Sequence, residues 1–364
     1  MSDSQRRYHA VKAKMSQLLP EPWAECPSRL VNLSLLVSSI VKAKDLTQHA
    51  LAAEMPLAAQ DTSLAQRQRR WLMNEAVTAE AYYEPIIVPV LQSLSQATIP
   101  LILDTTAAGA KCHLLSVAVG YQRRALPVVW QAGEGKRGHT QGATQISLLE
   151  RTQTLLPAEA DVIVLGDGEF GHVSLVRWLQ AQGYDYCLRV ASDTWIEYEG
   201  HWQRLDSFDL QPDETIWLEQ VRLTQQDAFG PVNLLLVFDP RHNRPVPIVT
   251  NLPLPQEAQR WYRKRPWTEP LFGDLKGHGF DFQTCCLRHP DRLDRLMIAI
   301  ALAYLWLCAL GAMACFAGLA KLVDRSDARQ RSIFTIGRQW LNRLLKLDKS
   351  FPVSFCPYPF LHLS

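Results

Sequence analysis

The stretch YRKRPWTEPLFGDLK, residues 262–276, sets one carboxylate, Glu269, and one phenol, Tyr262, among several fixed cations. A glutamate among arginines can be a plain ion pair. It can also hold a hard metal ion while the cations grip phosphates. Two more acids stand at the ends of apolar runs that read as buried strands: Asp104 in LILDTT and Asp167 in VIVLGDGEFG. Strand ends are where α/β sheets hold ligands. Buried carboxylates side by side repel unless one is protonated or a cation lies between them. Mg²⁺ takes carboxylate oxygens and shares its shell with phosphates. With Glu269 as the third acid, the set suits two metal ions in phosphoryl transfer, activating an attacking oxygen and stabilising a leaving one. Arg265, Lys276 and Tyr262 would then hold a phosphate backbone beside them.

Positions 262, 265, 269 and 276 fall within roughly 60° of one helix face at about 100° per residue. Pro266 and Pro270 interrupt a continuous helix there. Proline fits a first helical turn, so the helix is expected to begin near Thr268 with Pro270 in that turn. Tyr262 and Arg265 then lie on the incoming segment, and only Glu269 and Lys276 share helical geometry. Thr268 and Pro270, flanking Glu269, are not the helix formers expected at such positions, which leaves the local backbone geometry open.

The elements that must carry these residues can be read from periodicity. Residues 1 to about 95 show helical spacing in LVNLSLLVSSIVKAKDLTQHALAAEM and SLAQRQRRWLMNEAV. The second carries Arg67, Arg69 and Arg70, a pattern that suits either a DNA-reading helix or a solvated face. From Ile99 the pattern changes to strands: IPLILDTT, then CHLLSVAVGYQRRALPVVWQAG as two strands about a turn at Gly120–Arg124, then ADVIVLGDGEFG. HVSLVRWLQAQG reads as a helix opened by His172, and YDYCLRV, carrying Arg189, as a further strand. The sum is a mixed sheet with helices against it. Residues 192–250 read as an antiparallel β insert with turns at Glu199–Gly200, Phe229–Gly230 and His242–Pro245. Glu169 is expected to support the site or face solvent, and Asp274 to be a surface acid. The tail cations Arg329, Arg331, Arg338 and Arg343 suit a solvated face or DNA contact equally.

Residues 296–319 carry no charge, long enough to cross a bilayer. It is a lone segment in a chain of ordinary hydrophobic content, 47%, so a helix buried in a large core is the reading taken and no membrane partner is expected. The formal net charge of +2 advertises no nucleic-acid partner by itself. Locally, though, residues 1–70 and 321–349 are basic and 192–250 acidic, which suits a polyanion held at some surfaces and kept off others. Scattered cysteines without CxxC spacing argue against structural zinc and suit a reducing cytoplasm. The N-terminus lacks the apolar stretch of a secretory signal.

Tyr262, Arg265, Glu269 and Lys276 match the spacing of the YREK motif, and the chain resembles bacterial insertion-sequence transposases of the DDE class. LILDTT and VLGDGEFG look like the segments bearing that group's first two acids, and HGFDFQTCCLRHPDRLDRLMIAIALAYLWL looks like the segment C-terminal to its glutamate. The likeness spans about residues 95–320. It implies an α/β fold: an RNase H-like mixed-sheet core flanked by helices, with an all-β insertion and a helical N-terminal domain. The expected division is a DNA-binding domain over 1–95, the first part of the catalytic core over 96–191, the β insertion over 192–255, the second part of the core over 256–320, and a basic tail over 321–364 for DNA or dimer contacts. The resemblance implies Asp104, Asp167 and Glu269 as catalytic ligands of two Mg²⁺ ions, with Mn²⁺ as a substitute. Tyr262, Arg265, Lys276 and Arg189 would contact DNA, and Trp195, Trp202 or Trp217 would stack on a flipped base. It implies double-stranded DNA partners (transposon ends and target), nicking, a hairpin intermediate, strand transfer, a homodimer in a synaptic complex, and a cytoplasmic, nucleoid-associated location in a bacterium. Two alternatives stay open: an RNase H-like nuclease that cuts without joining, and a catalytically inactive DNA-binding derivative.

Overall fold

The computed structural model describes residues 1–20, 26–43, 45–94, 98–212, 214–240, 243–277, 279–325 and 327–357. The chain opens with helices α1 (Asp3–Leu18), α2 (Pro27–Ile40), α3 (Gln48–Ala53), α4 (Asp61–Leu72), α5 (Ala79–Tyr82) and α6 (Glu84–Gln92). Their starts reflect local chemistry. Ser2 and Gln5 form a capping box on α1, Pro27 occupies the first turn of α2, and the Thr47 and Thr78 hydroxyls cap α3 and α5. The Arg7 guanidinium, buried in α1, is held by Glu54 at 3.0 Å, which ties the first helix to the end of α3.

The sheet begins with β1 (Ile99–Ala108), β2 (Cys112–Tyr121) and β3 (Arg124–Glu134), paired antiparallel. Gln122 and Arg123 both have positive φ, the geometry of a two-residue hairpin loop matched to strand twist, so the turn falls where it was expected. Helix α7 (Gly142–Gln153) leads to β4 (Val162–Gly166), which lies parallel to β1, and α8 (Val173–Ala181) crosses to the parallel β5 (Asp185–Arg189). β1, β2 and β4 are apolar almost throughout because both sheet faces are covered. The nitrogen Nδ1 of His172 accepts from the Leu175 N–H, so this residue caps α8 as its position at the start of the pattern suggests.

β6 (Trp195–Tyr198), β7 (His201–Arg204), β8 (Thr215–Leu223), β9 (Phe229–Asp239) and β10 (Arg244–Thr250) form the expected antiparallel insert. It is continuous with the core: β10 pairs with β5 through Ile248–Arg189, Val249–Leu188 and Thr250–Cys187. One ten-stranded sheet results, ordered β3-β2-β1-β4-β5-β10-β9-β8-β6-β7. The turn expected at Phe229–Gly230 falls earlier, at Gln225–Asp227, and both residues already belong to β9. His242 lies outside the described residues.

The chain then forms α9 (Pro255–Tyr262), a 3₁₀ turn at Arg265–Trp267, α10 (Thr268–Leu275), α11 (Pro290–Phe316) and α12 (Ile333–Lys346). α11 carries most of the uncharged segment after a charged first turn and a half, and 94% of its most apolar window is buried inside the protein. It packs on β3, α2 and α12. Gly311 and Gly337 let α11 and α12 touch backbone to backbone. A Cβ on Gly337 would sit 1.9 Å from the Leu307 carbonyl oxygen. The architecture is thus a mixed α/β core with helices against its sheet, an all-β insertion and helical N-terminal elements.

Candidate active site

Asp104 and Asp167 reach the same spot from neighbouring strands. Asp104 is in the middle of β1, not at its end as the apolar run suggested, because β1 continues along β2 to Ala108. It nevertheless lies just beyond the last β1–β4 pair, Ile102–Leu165. Asp167 comes directly after β4. Both acids therefore stand where the parallel strands part, the place where such sheets hold ligands. The Asp104 Oδ1 accepts from the Thr105 N–H at 2.8 Å, and Oδ2 accepts from the Thr268 hydroxyl at 2.6 Å. Burial pushes the Asp104 carboxyl above its ordinary range; Asp167 adds to this, while Arg265 and Thr268 oppose it. Asp167 Oδ1 accepts from the Glu169 N–H at 3.0 Å, closing a turn that fixes its direction.

Glu269 comes from the first turn of α10, which starts at Thr268 with Pro270 inside that turn. Thr268 is in place of a helix former because its hydroxyl is used by Asp104, a role that spacing along the chain does not report. Between the acids lies Arg265. Its Nη2 is 3.2 Å from Asp104 Oδ1 and 2.7 Å from Asp167 Oδ2, and its Nη1 is 3.7 Å from Glu269 Oε1. A single guanidinium thus touches three carboxylates contributed by residues far apart in sequence. All the donors are oxygens, which suits a hard divalent cation, and a cation already sits where they converge. Among the described residues, no group of three acids, imidazoles or thiols is drawn close enough to hold one ion with the guanidinium in that position.

A cleft of about 840 Å³ opens over these groups, lined by Asp104, Asp167, Glu269, Arg265, Arg189 and Lys276 among others. Arg137 lines it too and was missed, since it lies in a loop without periodicity. Glu169 holds that loop: its Oε1 accepts from the Thr140 N–H at 2.8 Å and the Thr140 hydroxyl at 2.5 Å. Gln145 links Thr140 to His172 behind it, at 2.9 Å and 2.8 Å. Glu169 is therefore a support of the site wall. Burial lowers the Lys276 pKa from its ordinary value, with Arg137 acting in the same direction and Asp104 against it.

Tyr262 is not among the residues lining the cleft. It packs against the core at the end of α9, where burial pushes its phenol up to about 12. Trp195, Trp202 and Trp217 also lie away from the cleft's lining. Asp274 is corrected from surface acid to buried ion-pair partner of Arg124. Arg331, Arg338 and Arg343 donate to the carbonyls of Val323, Gly279 and Leu322, so these tail cations fasten α12 to its own chain.

Residues 96–306 match the family described as Transposase DDE domain. The chain belongs to that family. The DDE domain so matched starts just ahead of β1, takes in the whole β insert, ends within α11, and contains Asp104, Asp167, Arg265 and Glu269. Among curated proteins, none matches the chain. A cryo-EM structure of the piggyBac transposase synaptic complex with hairpin DNA is similar at 12% identity and a TM-score of 0.48, covering 94% of this chain and 77% of that one. The chain is a transposase by family.

Proposed function

We propose that this transposase cuts and rejoins the ends of its own mobile element by phosphoryl transfer, and that it belongs to the bacterial insertion-sequence group with the YREK motif. The observation that carries the reading is the meeting of Asp104, Asp167 and Glu269 on one cation, in a cleft rimmed by Arg189, Lys276 and Arg137. Asp104, Asp167 and Glu269 would hold two Mg²⁺ ions, or Mn²⁺ in their place. When bound, such ions supply Lewis acidity at the scissile phosphate and lower the pKa of the attacking hydroxyl.

The protein's own groups do the rest. Arg189, Lys276 and Arg137 hold the phosphate backbone, and Arg265 donates to the phosphate nearest the acids. Thr268 and the Glu169 N–H keep two of the carboxylates aimed. The reaction course is nicking at the transposon end, a hairpin intermediate, then attack of the freed 3′-hydroxyl on target DNA. Residues 1–95 would read the ends, the exposed Arg69 and Arg70 of α4 facing the duplex. Residues 321–364 would contact DNA or a second copy in a homodimeric synaptic complex. The place of work is the nucleoid in a bacterial cytoplasm.

The test is incubation of the full chain with labelled DNA carrying the element's ends, plus Mg²⁺ and a target plasmid, then denaturing electrophoresis. Target-joined products are expected. Asp167→Ala should lower their rate by at least about a hundredfold while end binding persists, as loss of a metal-site group does. Cleavage without joining would make the chain a nuclease instead. Binding without either would make it an inactive DNA-binding derivative.

A further inference from the structure

We propose that Arg265 is a displaceable counter-ion that keeps the catalytic carboxylates together until DNA arrives, so that backbone binding and metal loading are linked through this one side chain. The inference rests on the reading of the cleft as a metal-dependent phosphoryl-transfer centre. Arg265 contacts Asp167 at 2.7 Å, Asp104 at 3.2 Å and Glu269 at 3.7 Å, with its side chain only 14% exposed. The Asp104 pair is buried and weakly screened, the Asp167 pair less so, and a divalent cation cannot share that position with a guanidinium, because like charges at contact distance repel strongly outside bulk water. The metal therefore competes with Arg265 for the same three carboxylates.

The structure provides a route for release. The guanidinium has five donors in a fixed fork, and its Nε–H is buried without an acceptor. Its present seat leaves that donor unmatched, whereas a phosphate offers several oxygens. Arg265 begins a three-residue 3₁₀ turn between α9 and α10 and so belongs to neither helix. Two of the acids keep their direction once it has left. Asp104 is held by the Thr105 N–H and the Thr268 hydroxyl, and Asp167 by the Glu169 N–H. Arg189, Lys276 and Arg137 bring a phosphate to the same cleft. A phosphate that draws Arg265 toward itself raises metal affinity, and bound metal raises affinity for the phosphate by the same factor.

The test uses the full chain without DNA and measures Mn²⁺ binding from the electron paramagnetic resonance of free Mn²⁺. Arg265→Gln is expected to bind Mn²⁺ at least about tenfold more tightly than the unmodified protein, since the competing charge is gone. Lys276→Gln removes the same charge from the same cleft but none of the three ion pairs, and should tighten binding by less than about threefold. Equal or weaker affinity in Arg265→Gln overturns the proposal. So does equal tightening in Lys276→Gln, which would mean a general field effect. Thermal melting gives a second readout: Arg265→Gln should melt lower than the unmodified protein without Mn²⁺ and recover with it. If Arg265→Gln fails to fold, Mn²⁺ should restore a cooperative transition, and failure to do so also overturns the idea. Absence of Mn²⁺ binding in every variant would sink the metal-dependent reading of the site together with this one. Normal Mn²⁺ binding with no Arg265 effect would sink this inference alone.

Discussion

Removing the Asp274 carboxylate should be among the most damaging single changes outside the cleft. Asp274, on α10, and Arg124, at the start of β3, are both buried, and they form a direct ion pair. The Tyr304 hydroxyl of α11 accepts from Arg124 Nη1 at 3.3 Å. In Asp274→Ala the guanidinium stays charged, since arginine does not deprotonate in proteins. Among the described residues it is then left with the neutral Tyr304 hydroxyl as its hydrogen-bond partner. Breaking a buried pair from one side costs about 3–5 kcal/mol. Unfolding entropy is about 2.1 cal/mol/K per residue. Over 364 residues each kcal/mol therefore moves the melting midpoint by about 1.3 °C, so a fall of about 4–6 °C is expected. The double change Arg124→Met with Asp274→Leu removes both charges and should restore most of the loss. The assay is thermal melting of the full chain by circular dichroism, with single and double variants side by side. A midpoint for Asp274→Ala within about 1 °C of the unmodified protein would refute the reasoning, because an uncompensated buried charge cannot be so cheap. A double variant as unstable as the single would refute it too. Because α10 also carries Glu269, the pair anchors one of the three acids to the sheet.

Asp294, on α11, accepts from the Ala132 N–H of β3 at 2.7 Å, and burial pushes its carboxyl up to about 7. The folded state thus holds a proton that the unfolded chain has lost above about pH 4. The resulting stabilisation is full below that pH and disappears as pH rises through about 7. Asp294→Asn keeps the acceptor and abolishes the titration, so it should gain on the order of 1–2 kcal/mol over the unmodified protein at pH 8, after discounting for water access, and almost nothing at pH 4. Denaturant unfolding at the two pH values checks this, and an equal effect at both would count against it. Gly337→Ala puts a Cβ 1.9 Å from the Leu307 carbonyl oxygen, so α12 must move away from α11. A loss of about 1–3 kcal/mol is expected, read by denaturant unfolding. A neutral result would mean that the two helices are not in backbone contact.

Much of the fold was legible along the chain. LILDTT and VIVLG read as strands because a strand covered on both faces must be apolar at every position. Pro266 and Pro270 located the start of α10 at Thr268, since proline is admitted only to a helix's first turn. The hairpin turn within Gly120–Arg124 and the helix start at His172 were readable for the same reason: each depends on its immediate neighbours. Less was legible where the partner is distant. The Phe229–Gly230 pair, a turn signal by composition, was claimed by the β9–β8 ladder instead.

The candidate acids could be named from residue type and spacing, but not what neutralises them. Asp104, Asp167 and Glu269 share the Arg265 guanidinium only because β1 and β4 lie side by side and the turn before α10 covers their ends. Asp274 looks like a surface acid by position and is buried because Arg124 waits across the sheet. Tyr262 shares the motif's spacing and is half-buried against the core, with Arg265, Arg189 and Asp167 close enough to act on its phenol, and Arg137 joins the cleft from a loop with no periodic pattern. Residue order by itself set the strands and the helix starts, because those depend on sterics and hydrogen bonds between near neighbours. Which charges meet was decided by tertiary structure alone, because electrostatic energy depends on distance in space and on the water excluded between the groups.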